Sequence, residues 1–217
     1  MADPETPAPA DETLPQVAAT AARVARLALA APPRAGTTRV VAVDGPSGSG
    51  KTTLAAAIAR ALGDTAGTGG TGGTDGTDGT GDPAPVVHLD DIYPGWDGLA
   101  DAVPRLLEWV LEPLAAGLPA RYRRFDWPAD EYAEWHAVRD AGALVVEGVT
   151  CGARACEPYL SLLVWVEAPR DLRFRRGMER DGEAYRPYWE RWARQEDAHF
   201  AAENTRRRAD VVVDGSG

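Results

Sequence analysis

Apolar residues follow two patterns along this chain: recurrence every three to four positions, and short unbroken runs. From Leu14 to Ala31, the residues Val17, Ala21, Val24 and Ala28 share one helical face while Arg23 and Arg26 lie off it, and Pro32-Pro33 ends the segment. Thr38 to Val43 is a β-branched run of the kind buried on both faces of a sheet. Helical spacing returns over 52–62 with Leu54, Ile58 and Leu62, and Val86 to Leu89 reads as a short strand ending in Asp90-Asp91. A helix is expected over 99–116, followed by edge or lid strands at Arg121 to Phe125 and Glu134 to Val138. Ala143 to Glu147 and Leu162 to Val166 are further buried strands. Helices are expected over 170–180 and 184–203, with a last strand at Val211 to Val213. Strands alternating with helices predict an α/β chain whose five-stranded parallel sheet is covered on both faces, with ligands at the C-terminal ends of the strands.

Two segments fall outside this pattern. Residues 1–13, rich in Pro, Ala and acid, are expected to be disordered. From Gly67 to Gly81 the triplet Gly-Thr-X repeats five times; the triplets lack proline and are too few for a collagen-like helix. Asp75 and Asp78 lack the bidentate Glu of a calcium loop, so a flexible, solvated insertion over about 64–85 is the expectation. Residues 14–217 then form one domain, in keeping with 217 residues of 44% hydrophobic content.

The formal charge of −10 changes little once it is placed on the chain. Eight carboxylates lie in the two irregular segments, and without them the remainder is near −2. This balance argues against a nucleic-acid surface. No apolar run approaches the ~20 residues of a membrane span, and the acidic N-terminus does not read as a signal peptide. The expected location is cytoplasmic. Cys151 and Cys156 are too few for a zinc framework and are expected as reduced thiols. A homo-oligomer is a possible arrangement.

The candidate chemistry sits at the strand ends. Gly45-Pro46-Ser47-Gly48-Ser49-Gly50-Lys51-Thr52 is a complete P-loop, with a β-branched strand before it and a helix after it. Glycines at 45, 48 and 50 let backbone N–H groups face phosphate oxygens, and the following helix adds its positive end. Ser47, Ser49 and Thr53 complete the expected nucleotide contacts. Lys51 is expected to bridge the β- and γ-phosphates of ATP, and the Thr52 hydroxyl to meet Mg2+. Of 23 basic residues 22 are Arg, and Lys51 is the only lysine. A compact ammonium is kept where a planar guanidinium does not serve. Asp90 is the expected general base and a candidate metal neighbour, and Glu147, at the tip of a buried strand, a candidate holder of metal-bound water. Arg173, Arg176 and Arg180 share a helical face, and Arg176 and Arg180 are the expected phosphate clamps of an Arg-rich lid. Trp96 beside Asp97 and Trp127 beside Asp126 suit an acceptor pocket that stacks a planar group and takes its hydroxyls. His88 and His136 are given no role.

In this order the motifs resemble the uridine kinase and phosphoribulokinase-like group of P-loop kinases. The resemblance rests on Gly45–Thr52, Leu89-Asp90-Asp91-Ile92-Tyr93, Trp96-Asp97, Phe125-Asp126-Trp127, Val146-Glu147-Gly148, the Arg175-to-Asp181 lid and Arg208-Ala209-Asp210-Val211. It implies a three-layer P-loop fold and transfer of the γ-phosphate of ATP to the sugar hydroxyl of uridine or cytidine. It also implies Asp90 as base, with Tyr93, Asp97 and Asp126 on the acceptor side. Two departures fall in the acceptor pocket: a short segment between Tyr93 and Trp96, and no histidine after Asp126-Trp127 to meet a pyrimidine.

A kinase for another hydroxylated metabolite, pantothenate-like or a sugar, is the second reading, and a regulatory ATPase or switch the third. A guanine-reading Asn-Lys-x-Asp motif needs a second lysine, which the chain lacks, and Glu147 is followed by Gly148 rather than by the second acid of a ring ATPase. Both observations favour a kinase.

Overall fold

The computed structural model describes residues 13–67, 81–184 and 186–216; nearly all of the N-terminal segment and of the Gly-Thr-X tract lies outside these. The first described helix, α1 (Thr13–Ala30), buries Ala21, Val24, Ala25 and Ala28, the face its periodicity marks. It leads to β1 (Arg39–Asp44) and, across the P-loop, to α2 (Lys51–Gly67). α2 continues past residue 62, and Ala84 returns against it with an N–H donated to the Ala59 carbonyl. The ends of the expected 64–85 insertion are thus helical at one side and packed at the other.

β2 (Val86–His88) runs into a 3-10 turn, Leu89–Asp91. The helical stretch that follows comprises α3 (Ala102–Leu106), a π-helical turn (Leu107–Leu111) and α4 (Glu112–Ala115), so it starts three residues later than its apolar pattern suggests. β3 (Arg121–Asp126) and β4 (Glu131–Ala137) pair antiparallel as a separate hairpin. β5 (Ala143–Glu147), β6 (Leu160–Glu167), α5 (Arg170–Asp181), α6 (Arg186–Glu203), the short α7 (Thr205–Arg208) and β7 (Val211–Asp214) complete the order.

Five strands form one parallel sheet in the order β2-β5-β1-β6-β7. Alternate strand residues enter two cores, as a period of two requires. Val41, Val43, Val145, Leu162 and Val164 face α1 and α2, packing on Val24, Leu54 and Ile58. Val40, Ala42, Leu144, Val146 and Leu163 face the other side, packing on Tyr93, Leu106, Leu111 and Trp192. This is the three-layer architecture expected from the strand and helix pattern. The parallel directions bring the ends of β1, β2, β5 and β6 to one edge, where the hairpin docks on the 3-10 turn: Tyr122 and Trp127 donate to Asp91 and to the Asp90 carbonyl.

Ile58 is fully buried between α2 and the sheet. Ile58→Ala should therefore lower the unfolding free energy by about 2–5 kcal/mol, read from urea denaturation.

Candidate functional site

β1 is buried along nearly its whole length and delivers Asp44 to the sheet edge with no exposed surface. Its carboxylate accepts N–H bonds from Gly45 at 2.7 Å, Gly152 at 2.8 Å and Thr150 at 3.1 Å. One side chain thereby joins the first residue of the P-loop to the loop after β5. Thr150 sits at φ 85°, a conformation that strains a β-branched residue by about 1–3 kcal/mol and persists only where its surroundings impose it. Burial pushes the Asp44 carboxyl from the ordinary 3.8 up to about 6, against the opposing pull of the three amides and Lys51.

The P-loop then crosses the ends of β6 and α5 at close range. A Cβ at Gly45 would lie 2.0 Å from the Val166 carbonyl oxygen, and one at Gly48 would lie 2.4 Å from that of Arg173. Both glycines also have positive φ, so no other residue fits without moving a strand or a helix. α2 opens at Lys51, which aims the unbonded amides of its first turn, including those of Thr52 and Thr53, out of the helix end. The buried Lys51 ammonium donates to the Pro46 carbonyl at 3.0 Å, inside the loop it belongs to. Backbone N–H groups, a helix N-terminus and an ammonium suit a polyphosphate.

Two serines of the motif are otherwise engaged. Ser47 donates its N–H to Glu196 at 2.8 Å, and its hydroxyl accepts from Trp192 at 3.0 Å. Ser49 is fully buried and donates its N–H to the Pro46 carbonyl. In this structure the Ser47 amide is thus directed to Glu196 and the Ser49 amide to the Pro46 carbonyl.

Across the loop, the Thr52 hydroxyl donates to Glu147 Oε1 at 3.1 Å, and His88 Nδ1 lies 2.7 Å from the same oxygen. Burial would raise the Glu147 pKa, but the His88 hydrogen bond, Lys51 and Thr52 outweigh it and hold the carboxyl below its ordinary value. The His88 pKa is raised by the same bond. His88, which carries no mark of a role in the sequence, stands opposite Glu147 across β2 and β5, and that register brings the pair together. Among the described residues no cluster of three or more His, Cys, Asp or Glu forms a metal cage. A hydroxyl beside a carboxylate nevertheless fits Mg2+, a hard ion that takes one or two protein oxygens and completes its shell with phosphate and water.

Asp90 stands on the 3-10 turn facing this cleft, its side chain 60% exposed. Protein crowding around the cleft, and then the charge of Glu147, raise its pKa; Arg180 and Lys51 oppose the rise. Arg180 reaches from α5 to within 4.0 Å of it and also holds Asp181 at 2.8 Å. Arg176 donates to the Gly215 carbonyl at 2.6 Å beside Gly50. Arg173, on the same face, donates to the Ser47 carbonyl at 3.2 Å and supports the loop from below.

The acceptor-side residues are placed less uniformly. The Trp127 indole donates to the Asp90 carbonyl at 2.9 Å and lies 4.8 Å from Trp96. Trp96 stacks on Tyr188 at 4.5 Å, and Asp97 pairs with Arg191. Asp126 accepts the Ala129 N–H at 3.1 Å and lies 3.3 Å from Arg124, within the hairpin turn. Tyr93 corrects the expectation of a pocket residue: it is 1% exposed, with its hydroxyl donated to the Val149 carbonyl, because the tight turn after Asp91 folds its ring into the core. A separate hollow of about 150 Å3, lined by Arg34, Glu157, Ser161, Arg208 and Asp210, lies towards the start of β6, away from this cleft.

Because Asp44 holds its proton more tightly folded than unfolded, its contribution to stability falls as pH rises from about 4 to about 6 and is level above that. The urea midpoint of Asp44→Asn should vary less across that interval than that of the wild type. An equal pH response in the two proteins would exclude Asp44 as the source.

No family model and no curated protein matches the sequence. Solved structures do match in fold. A possible uridine kinase from Bacillus stearothermophilus superposes with a TM-score of 0.61 at 21% identity, over 93% of this chain and 99% of its own. A possible fructose transport system kinase from Silicibacter sp. TM1040 superposes with a TM-score of 0.52 at 18% identity, over 89% of this chain and 98% of its own. Together with the complete P-loop at the end of β1, these superpositions show that the chain has the α/β fold of a P-loop kinase.

Proposed function

We propose that the chain is an ATP- and Mg2+-dependent phosphotransferase that phosphorylates a hydroxyl of a small molecule, a nucleoside of the uridine or cytidine type. The observation that carries this reading is the placement of Asp90. It faces the P-loop end of the sheet, with Arg180 within 4.0 Å of its carboxylate and the Trp127 indole on its backbone carbonyl. Lys51 would exchange the Pro46 carbonyl for β- and γ-phosphate oxygens. Thr52 and Glu147 would hold Mg2+, with Asp90 as a further candidate metal neighbour. Bound there, Mg2+ supplies charge neutralisation on the phosphate oxygens.

In the proposed step the acceptor hydroxyl gives its proton to Asp90 as its oxygen bonds to the γ-phosphorus. The bond from that phosphorus to the β-bridging oxygen breaks, and ADP leaves with the electron pair. Arg176 and Arg180 would close over the transferring group and exclude water.

A second reading, a sugar-like or pantothenate-like acceptor, is favoured by one observation. Asp97 and Asp126 are already paired with Arg191 and Arg124, and the Trp96 face is covered by Tyr188. The fold match to a possible fructose transport system kinase is compatible with this reading.

Transfer of labelled γ-phosphate should be screened against uridine, cytidine, other nucleosides, pantothenate and fructose with and without Mg2+. Lys51→Ala should abolish transfer. Asp90→Asn should reduce kcat by about 10²–10⁴-fold while ATP still binds. Full activity in Asp90→Asn would remove Asp90 as base, and ATP binding with no acceptor turned over would favour a regulatory ATPase.

A further inference from the structure

Helix α6 carries a stripe of side chains at positions 188, 191, 192, 195 and 196, the i, i+3, i+4, i+7, i+8 spacing of one helical face. This stripe touches two different parts of the site. Towards the P-loop, Glu196 is 2% exposed and accepts the Ser47 N–H, while the Trp192 indole donates to the Ser47 hydroxyl. Arg173 lies 3.7 Å from Glu196 and donates to the Ser47 carbonyl. Towards the acceptor side, Tyr188 stacks on Trp96, Gln195 donates to the Trp96 carbonyl at 2.8 Å, and Arg191 pairs with Asp97. Trp192 also meets Trp96 edge-on at 6.0 Å.

We infer that α6 is a rigid strut joining the acceptor-side segment 96–97 to the P-loop, so that ordering one end favours the competent geometry of the other. Glu196 and Trp192 are its positioning residues at the nucleotide end, and Tyr188, Arg191 and Gln195 those at the acceptor end. A buried carboxylate is stable only when paired and hydrogen-bonded, so Glu196 does not let go of Ser47 without a large penalty. A displacement of α6 at Trp96 must therefore carry Ser47 with it, or break that bond. The inference rests on the proposed function in taking the P-loop as the nucleotide site and residues 96–97 as the acceptor side.

The test uses the whole chain with Arg191→Ala, Gln195→Ala, Glu196→Gln and the Arg191→Ala/Glu196→Gln double variant. Arg191 is half exposed and pairs with Asp97 on the acceptor side, so its variant keeps the test open even where Glu196→Gln unfolds. Amide hydrogen exchange over residues 44–54 is read without ligand, alongside the melting temperature. Mg2+-ATP affinity is read by calorimetry. Arg191→Ala and Gln195→Ala should each speed P-loop exchange and weaken ATP binding by roughly fivefold or more with little change in melting temperature, and the double variant should lose less than the two singles combined. P-loop exchange unchanged in Arg191→Ala and Gln195→Ala overturns the strut, whether or not ATP binds. Wild-type protein that fails to bind Mg2+-ATP overturns the proposed function instead, and the exchange data still decide the strut.

Discussion

A P-loop must hold a strained, glycine-rich backbone open toward a ligand, and here two buried carboxylates impose that shape from either end. Asp44 takes the N–H of Gly45 at the start of the loop, and Glu196 takes the N–H of Ser47 near its crest. Neither carboxylate is solvated, so each depends on its amide donors, and each loses far more than one hydrogen bond if the loop moves away. The loop in turn lies within contact of the β6 and α5 backbones. The sheet edge, the Arg-rich helix and α6 are therefore fixed relative to one another through the P-loop.

The same two carboxylates explain why the elements around the cleft are not independent. Asp44 also holds Thr150 and Gly152, which follow the strand that ends in Glu147. Asp44 and the β1–β5 pairing that sets Val43 beside Glu147 together tie the P-loop to the candidate metal oxygens. Glu196 shares its surroundings with Arg173 from the preceding helix, and with Trp192, whose ring reaches the aromatic cluster beside Asp90. Position at the reacting centre is what such scaffolding supplies, since small misplacements of reacting groups lower rates steeply.

Much of this was legible in one dimension. Continuous apolar runs separated by helical spacing gave away a parallel sheet because only strands covered on both faces tolerate them. The P-loop declared itself through glycines whose backbone needs are local, and through a lysine that an otherwise Arg-only chain retains. Asp90, Glu147, Arg176 and Arg180 stand out in the sequence as strand-end and helix-face positions. They do lie around one cleft. Tyr93 was misread because a motif position does not say which way a tight turn points its ring.

The order of elements, the P-loop and the identity of the cleft-side carboxylates are properties of local sequence, since backbone conformation, strand burial and helix spacing are set by near neighbours. What only the tertiary structure decided are the partnerships across long separations. Ser47 and Glu196 are 149 residues apart, Asp44 and Gly152 are 108 apart, and His88 and Glu147 are 59 apart. A buried Glu on a helix or a His in a strand carries no mark of its partner. Its role appears only when the sheet order β2-β5-β1-β6-β7 brings the strand ends together and packing lays α6 over them.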